Sequence, residues 1–385
     1  MSPSTTPRNP GSPSAPNDDA AVGAPITHAA FGVLLERVRS HVDERLAVWL
    51  APRVAVAGQI SAEVGAAAEA AQGLAVRGGK RMRAALVVAG FDAASSTSLA
   101  WSEPAAVEEH LRSLLRACDG AMLAVELLQV YLLIHDDWMD DDDVRRGGPS
   151  VHVALRGRLG SKRLGDTAAI LAGDLASGYA QEALLESPLA GDRVLAAARA
   201  FAQIQVDVVS GQLAEMSSVT SVEVIHALKT ASYTVTGPLA MGASLAGASP
   251  ARVAQLARYG RPLGVAFQLR DDLLGTFGDT GATGKPVGND IRQGKRTALV
   301  AEMRGDAAAQ TLLTRVLGRE GASAQDIAEV VSAMETSGAK ARVEARVAEL
   351  LAEARAALDT MDLPATSLGR EWLAGAVRAL GERSS

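Results

Sequence analysis

"LLIHDDWMDDDDVRRGGPSVH", residues 132–152, sets six aspartates within eight positions directly behind an apolar run and follows them with two arginines. Like charges at that density repel by roughly 1 kcal/mol per close pair even in water, and by more where water is thinned. Something cationic has to compensate them. Read as a helix, the run puts Asp136 and Asp140 on one side, with Asp137 about 100° around from Asp136 and Gln129 facing the same way as Asp136. A carboxylate trio of this kind suits Mg2+, a hard octahedral ion that takes one or two carboxylates and fills its other positions with water and substrate phosphate. The bland alternative is a solvated acidic helix end, the commoner case for a charge run taken alone. The alternating D-x-D-x-D-G loop of an EF-hand is absent.

A second stretch changes those odds. In "VAFQLRDDLLGTFGDTGATGKPVGNDIRQGKRT" (265–297), Gln268, Asp271 and Asp272 fall at i, i+3 and i+4 on one helical face, with Leu256, Leu263, Phe267 and Leu274 lining its back. Two amphipathic helices thus end in paired aspartates, each followed by a glycine-rich loop carrying cations: Arg145 and Arg146 in one, Lys285, Lys295 and Arg296 in the other. If the two ends face each other across a cavity, metal ions held there would bridge to a diphosphate and the cationic side chains would complete its shell.

The rest of the chain supports a helical frame. Hydrophobic residues make up 48% and aromatics only 3%, with alanine throughout, the profile of helices packed closely through small side chains. Val343, Val347, Leu350, Leu351, Ala354 and Leu358 trace one buried helix face. A net charge of -6 argues against a basic nucleic-acid surface, so no nucleic-acid partner is expected. The lone Cys118 excludes an intrachain disulfide and a thiolate-rich metal site, and fits a reducing, cytoplasmic setting. Residues 1–25 hold six of the 15 prolines and read as a disordered tail, leaving 26–385 as one domain. The longest apolar stretch, Ala121 to Ile134, is interrupted by Glu126 and Gln129 and is too short to span a bilayer, so no transmembrane segment is expected.

The motifs together resemble the trans-isoprenyl diphosphate synthases, the polyprenyl synthetase family, and most of all its bacterial geranylgeranyl diphosphate synthases. "DDWMD" (136–140) and the following "RRGGPSVH" are similar to the first aspartate-rich motif, "GGKRMR" (78–83) to the homoallylic-substrate motif, "LKTAS" (228–232) to the allylic-site segment, and "FQLRDDLLG" with "TGKPVGNDIRQGKRT" to the second aspartate motif and its loop. The resemblance implies an all-α, single-domain isoprenoid-synthase array of antiparallel helices around a deep cavity. The activity it implies is head-to-tail condensation of isopentenyl diphosphate with an allylic prenyl diphosphate, in a cytoplasmic homodimer.

It also implies roles. Asp136, Asp137, Asp140, Asp271 and Asp272 would hold Mg2+, three ions with substrate bound, with Asp290 as a further acceptor. Arg145, Lys229, Lys285 and Lys295 would hold the allylic diphosphate, while Gly79, Lys80, Arg83, Gln129 and Arg146 would clamp isopentenyl diphosphate. Thr230 and Gln268 would steady the carbocation and, with Lys229 and Lys285, make up the catalytic set. Gln129 stands where many relatives carry histidine, and Gly275 where many carry a third aspartate. Tyr131 and Leu132, just before the first motif, would form the cavity floor that limits product length, in a pattern closer to geranylgeranyl than to farnesyl synthases. Lys80, Arg81 and Arg83 taken alone read as surface charge, and His135, His152 and Trp138 as structural.

Three alternatives stay open: a farnesyl diphosphate synthase, a class I terpene cyclase and an inactive regulatory subunit. The cyclase's late Asn/Asp–Ser/Thr–Glu motif is missing, since "NDIRQGKRT" has Gln293 where the hydroxyl should be. Intact aspartates and lysines speak against the inactive subunit.

Overall fold

The computed structural model describes residues 27–95, 104–216, 220–278, 288–303, 307–319, 321–364 and 367–381. The Pro-rich segment 1–25 and Lys285 therefore lie outside the described residues. The helices are α1 (Thr27–Ile60), α2 (Ala62–Val76), α3 (Met82–Ala94), α4 (Pro104–Met139), α5 (Val151–Leu159), α6 (Lys162–Leu185), α7 (Gly191–Glu215) and α8 (Val222–His226). A π-helical segment, Ala227–Thr236, leads into α9 (Gly237–Leu245) and α10 (Pro250–Phe277). Six more follow: α11 (Asn289–Arg292), α12 (Ala298–Glu302), α13 (Ala307–Val316), α14 (Ala324–Thr336), α15 (Ala339–Asp359) and α16 (Leu368–Gly381). The all-α expectation holds.

Local chemistry starts many of these helices. Ser61, Ser161, Ser221, Ser249, Thr297 and Ser323 each accept a hydrogen bond from the backbone N–H three residues on, satisfying one of the donors that a helix start leaves unpaired. Ser323 and Asp326 close a reciprocal capping box. The one strand pair among the described residues is a short ribbon, β1 (Val144–Arg145) against β2 (Gly148–Pro149). Its two turn residues, Arg146 and Gly147, both have positive φ, 51° and 72°, the backbone of a tight hairpin turn whose twist matches its strands. That turn follows directly on the acidic run.

Small residues let the central helices meet backbone to backbone. A Cβ on Gly242 of α9 would lie 1.9 Å from the Val87 carbonyl oxygen of α3, and one on Gly90 would lie 2.4 Å from the Leu239 carbonyl oxygen. Overpacking of a rigid crossing costs about 1–3 kcal/mol. Gly242→Ala is accordingly expected to lower the thermal midpoint by several degrees, and a melt superimposable on the wild type would show that the crossing yields freely.

Helix α4 runs through one contiguous apolar core that extends from Phe31 to Leu380. By length and composition α4 alone, among the described residues, could cross a bilayer, yet 67% of its most apolar window is buried against its neighbours. This differs from the expectation set by Ala121–Ile134, which took Glu126 and Gln129 as interruptions of the apolar stretch. Burial in a protein core explains it.

Candidate active site

The aspartate ends of α4 and α10 open on one cavity of about 440 Å³. Its lining brings together Asp136 from the first motif, the Lys229–Thr230 pair, and Gln268, Asp272, Asp290 and Lys295 from the second motif and its loop. Tyr131, Leu132 and Gln129 line the same space. Direct contacts tie the two motifs: Lys295 Nζ stands 3.1 Å from an Asp140 carboxylate oxygen, and the Gln293 amide donates to Asp142 at 3.3 Å. Part of the positive charge that the acidic run demands therefore comes from across the cavity.

The first motif presents a pair of carboxylates rather than the expected trio. Asp137 is fully buried and receives Arg145 Nε at 2.7 Å, with a second contact from the same guanidinium, because the hairpin folds Arg145 back beneath the helix end. Burial pushes the Asp137 pKa up, against the pull of Arg145. Asp137 thus packs beneath the turn and does not line the cavity, and Arg145 pairs with Asp137, with Asp142 at 3.5 Å. Asp136 and Asp140 remain half-buried at the mouth. Partial desolvation raises the Asp136 pKa, opposed by Lys229, whose ammonium lies 4.0 Å away.

On the opposite wall the side chains form a hydrogen-bonded chain. Thr230 Oγ1 donates to Gln268 Oε1 at 2.8 Å, and Gln268 Nε2 donates to Asp272 Oδ1 at 2.9 Å. The other Asp272 oxygen accepts from the backbone N–H of Ala298 at 3.3 Å. Burial raises the Asp272 pKa to about 7 despite these donors. Its neighbour Asp271 is half-buried, and Asp272 and Asp290 line the cavity. A Cβ at Gly275 would sit 3.0 Å from Asp290 Oδ2, so the carboxylate of Asp290 fills the space beside the position where the third aspartate would project. An aspartate at 275 would press like charges together; glycine leaves room for Asp290.

Lys229 and Thr230 lie in the π-helical segment, whose wider turn is closed by the Gly237 N–H donating to the Ser232 carbonyl. The segment also carries Tyr233, whose ring faces the Arg83 guanidinium at 4.3 Å, and Thr234, which accepts from Arg83 Nη2 at 3.2 Å. Arg83 Nε is buried with no hydrogen-bond partner. Arg146 stands nearby over Gly79, and burial together with Arg81 and Arg83 pushes its pKa down. Arg83 and Arg146, crowded in this way beside an Arg81 whose own charge is already paired, form a site for an anion. Lys80 is exposed at the same turn, and Gln129 lines the cavity. Arg81 behaves otherwise: it is buried on Glu126 and Asp43, at 2.8 Å each.

Three cavity residues escape any reading of spacing. Glu215, at the end of α7, forms an ion pair with Lys229. His226 is buried 3.6 Å from Asp272, its pKa pushed down to about 4 by burial and by Lys229. Tyr233 completes the set. Glu215 precedes Lys229 by 14 residues, and only the packing of α7 on the π-helical segment brings them together.

The carboxylate oxygens at the mouth fit a hard divalent cation. Among the described residues no three His, Cys, Asp or Glu side chains converge to cage an ion by themselves. A site of one or two carboxylates, completed by water and substrate phosphate, is the usual form for Mg2+.

Comparison with known proteins agrees with this geometry. The pattern of the polyprenyl synthetase family matches residues 66–334, well over half the chain. The chain belongs to the polyprenyl synthetase family. This polyprenyl synthetase is 35% identical over 266 residues to the short chain isoprenyl diphosphate synthase of Methanothermobacter thermautotrophicus, covering 66% of this chain and 76% of that one. It is 37% identical over 245 residues to the (2E,6E)-farnesyl diphosphate synthase of Mycobacterium tuberculosis, an alignment covering 60% of this chain and 64% of that protein. In structure it is similar to geranylgeranyl pyrophosphate synthase from Corynebacterium glutamicum complexed with isoprenyl diphosphate and magnesium, with a TM-score of 0.78, 34% identity, and coverage of 91% of this chain and 99% of that one. These relatives are prenyltransferases of isoprenoid biosynthesis.

Proposed function

We propose that this polyprenyl synthetase condenses isopentenyl diphosphate head-to-tail with allylic diphosphates, with geranylgeranyl diphosphate as its main product. One observation carries the reading: the two aspartate motifs and the Lys229–Thr230 pair share a single cavity with an apolar interior. In the reaction the allylic carbon–oxygen bond breaks with its electron pair leaving on the diphosphate. Lys229 and Lys295 stabilise the departing charge. The Thr230 hydroxyl and the Gln268 amide oxygen, aligned by their mutual hydrogen bond, direct dipoles toward the carbocation. Arg83, Arg146 and Lys80 hold isopentenyl diphosphate, whose terminal alkene carbon bonds to the cation. The proton then lost is taken up by the released diphosphate, so no side-chain nucleophile is needed.

Mg2+ bound at the site would neutralise the leaving diphosphate; Asp136 and Asp140 on one wall, with Asp271, Asp272 and Asp290 on the other, are the residues that would hold it. Asp137 and Arg145 act behind them by fixing the turn. Exposed leucines and valines along α6 and α7, among them Leu171, Leu195, Val206 and Leu213, support a homodimer, to be checked by light scattering.

The decisive experiment incubates the purified protein and Mg2+ with isopentenyl diphosphate plus dimethylallyl, geranyl or farnesyl diphosphate, and sizes the products. No chain growth from any starter rejects the reading. A farnesyl product is the second reading, favoured by the Mycobacterium relative. Tyr131 supports the longer one: its half-buried ring lines the cavity as the single Phe, Trp or Tyr among the five residues before the first motif, a pattern closer to the geranylgeranyl synthases. Tyr131→Ala is expected to shift the main product longer by at least one isoprene unit; unchanged chain lengths by chromatography would remove Tyr131 from the floor.

A further inference from the structure

The cavity wall at Tyr131 continues one helical turn along α4 to His135. The two rings meet edge to face, centroids 4.7 Å apart and planes at 62°. On its far side the imidazole is pressed against α6, where Nε2 donates to the Ile170 carbonyl at 3.0 Å. It fits there because α6 carries no side chain at Gly173: a Cβ would lie 2.4 Å from Nε2 and 2.5 Å from Cδ2 of His135. Around this recess Ala169, Ala172 and Ala176 are buried, so α6 is seated too closely to retreat.

We propose that Gly173 is a specificity-determining residue, which sets the product length by giving the His135 ring a recess outside the channel that the growing prenyl chain occupies. With any larger residue at 173 the ring, not the helix, gives way. It loses the Ile170 carbonyl and turns toward Tyr131 and the cavity, narrowing the channel one turn above its floor. The inference rests on the prenyl-elongating reading above and extends it to a residue that does not itself line the cavity.

The test compares product distributions of the wild type, Gly173→Ala, His135→Ser and the double variant, using isopentenyl and dimethylallyl diphosphate with Mg2+. Gly173→Ala is expected to shorten the main product by one isoprene unit. His135→Ser should lengthen it or leave a longer tail, and in the double variant the shortening should vanish, because the ring that transmits it is gone. A Gly173→Ala distribution superimposable on the wild type overturns the proposal, as does shortening that persists in the double variant. Should Gly173→Ala fail to fold by circular dichroism, the other two decide: a folded double variant with products at least as long as the wild type supports the recess, and a misfolded one, or a His135→Ser distribution identical to the wild type, overturns it. A wild-type enzyme that elongates nothing rejects the functional reading instead, so the two failures are distinguishable.

Discussion

Asp136→Asn is expected to lower kcat/KM by about 10³-fold, roughly 4 kcal/mol of transition-state stabilisation, on the scale of removing one well-placed electrostatic group from a partly desolvated site. Asparagine keeps the shape of the side chain and removes its charge, so the loss reports electrostatics rather than packing. Asp136 is the acidic side chain of the first motif that lines the cavity, and its carboxylate faces Lys229. Asp137→Asn provides the contrast. That carboxylate is buried on Arg145, so its removal should act mainly on stability and on the set of the hairpin. Steady-state kinetics with the metal concentration varied separates the two. An Asp136→Asn enzyme within tenfold of the wild type at saturating Mg2+ would remove Asp136 from the ion-holding set.

Arg81→Met is expected to destabilise the fold by about 3–5 kcal/mol, because it strands Glu126 in the core without its partner. Both side chains are buried, and Arg81 further donates to the Ala75 carbonyl at 2.8 Å and to Asp43. The double variant Arg81→Met/Glu126→Leu should recover most of the loss, since an apolar pair of similar volume no longer buries a lone charge. Denaturant midpoints at constant m-value read the difference. A single variant within 1 kcal/mol of the wild type would mean that water reaches Glu126. Arg81 also anchors the turn between Lys80 and Arg83, so a rise in the KM for isopentenyl diphosphate should accompany the lost stability.

Arg81 shows where a sequence stops being legible. "KRMR" gives three cations whose spacing says nothing of which is solvated, and all three read as surface charge when taken alone. The structure divides them: Lys80 is exposed, Arg83 reaches the π-helical segment, and Arg81 is buried on Glu126, 45 residues away. The first motif divides in the same way. Helical spacing correctly sets Asp137 off from Asp136 and Asp140, but nothing in the spacing says that the Arg146–Gly147 turn would fold Arg145 back to claim it.

The sequence by itself determined the all-α class, the two aspartate-bearing helix ends, the cationic loops and the family, because these rest on local periodicity and on motifs contiguous along the chain. Only the tertiary structure decided which carboxylates face the cavity, that Asp290 occupies the space beside Gly275, and that Glu215, His226 and Tyr233 belong to the site. The reason is physical. Helix periodicity fixes the direction of a side chain relative to its own axis, whereas its partner, and hence its charge environment, depends on how separate helices dock, which the buried alanines and glycines permit but do not spell out.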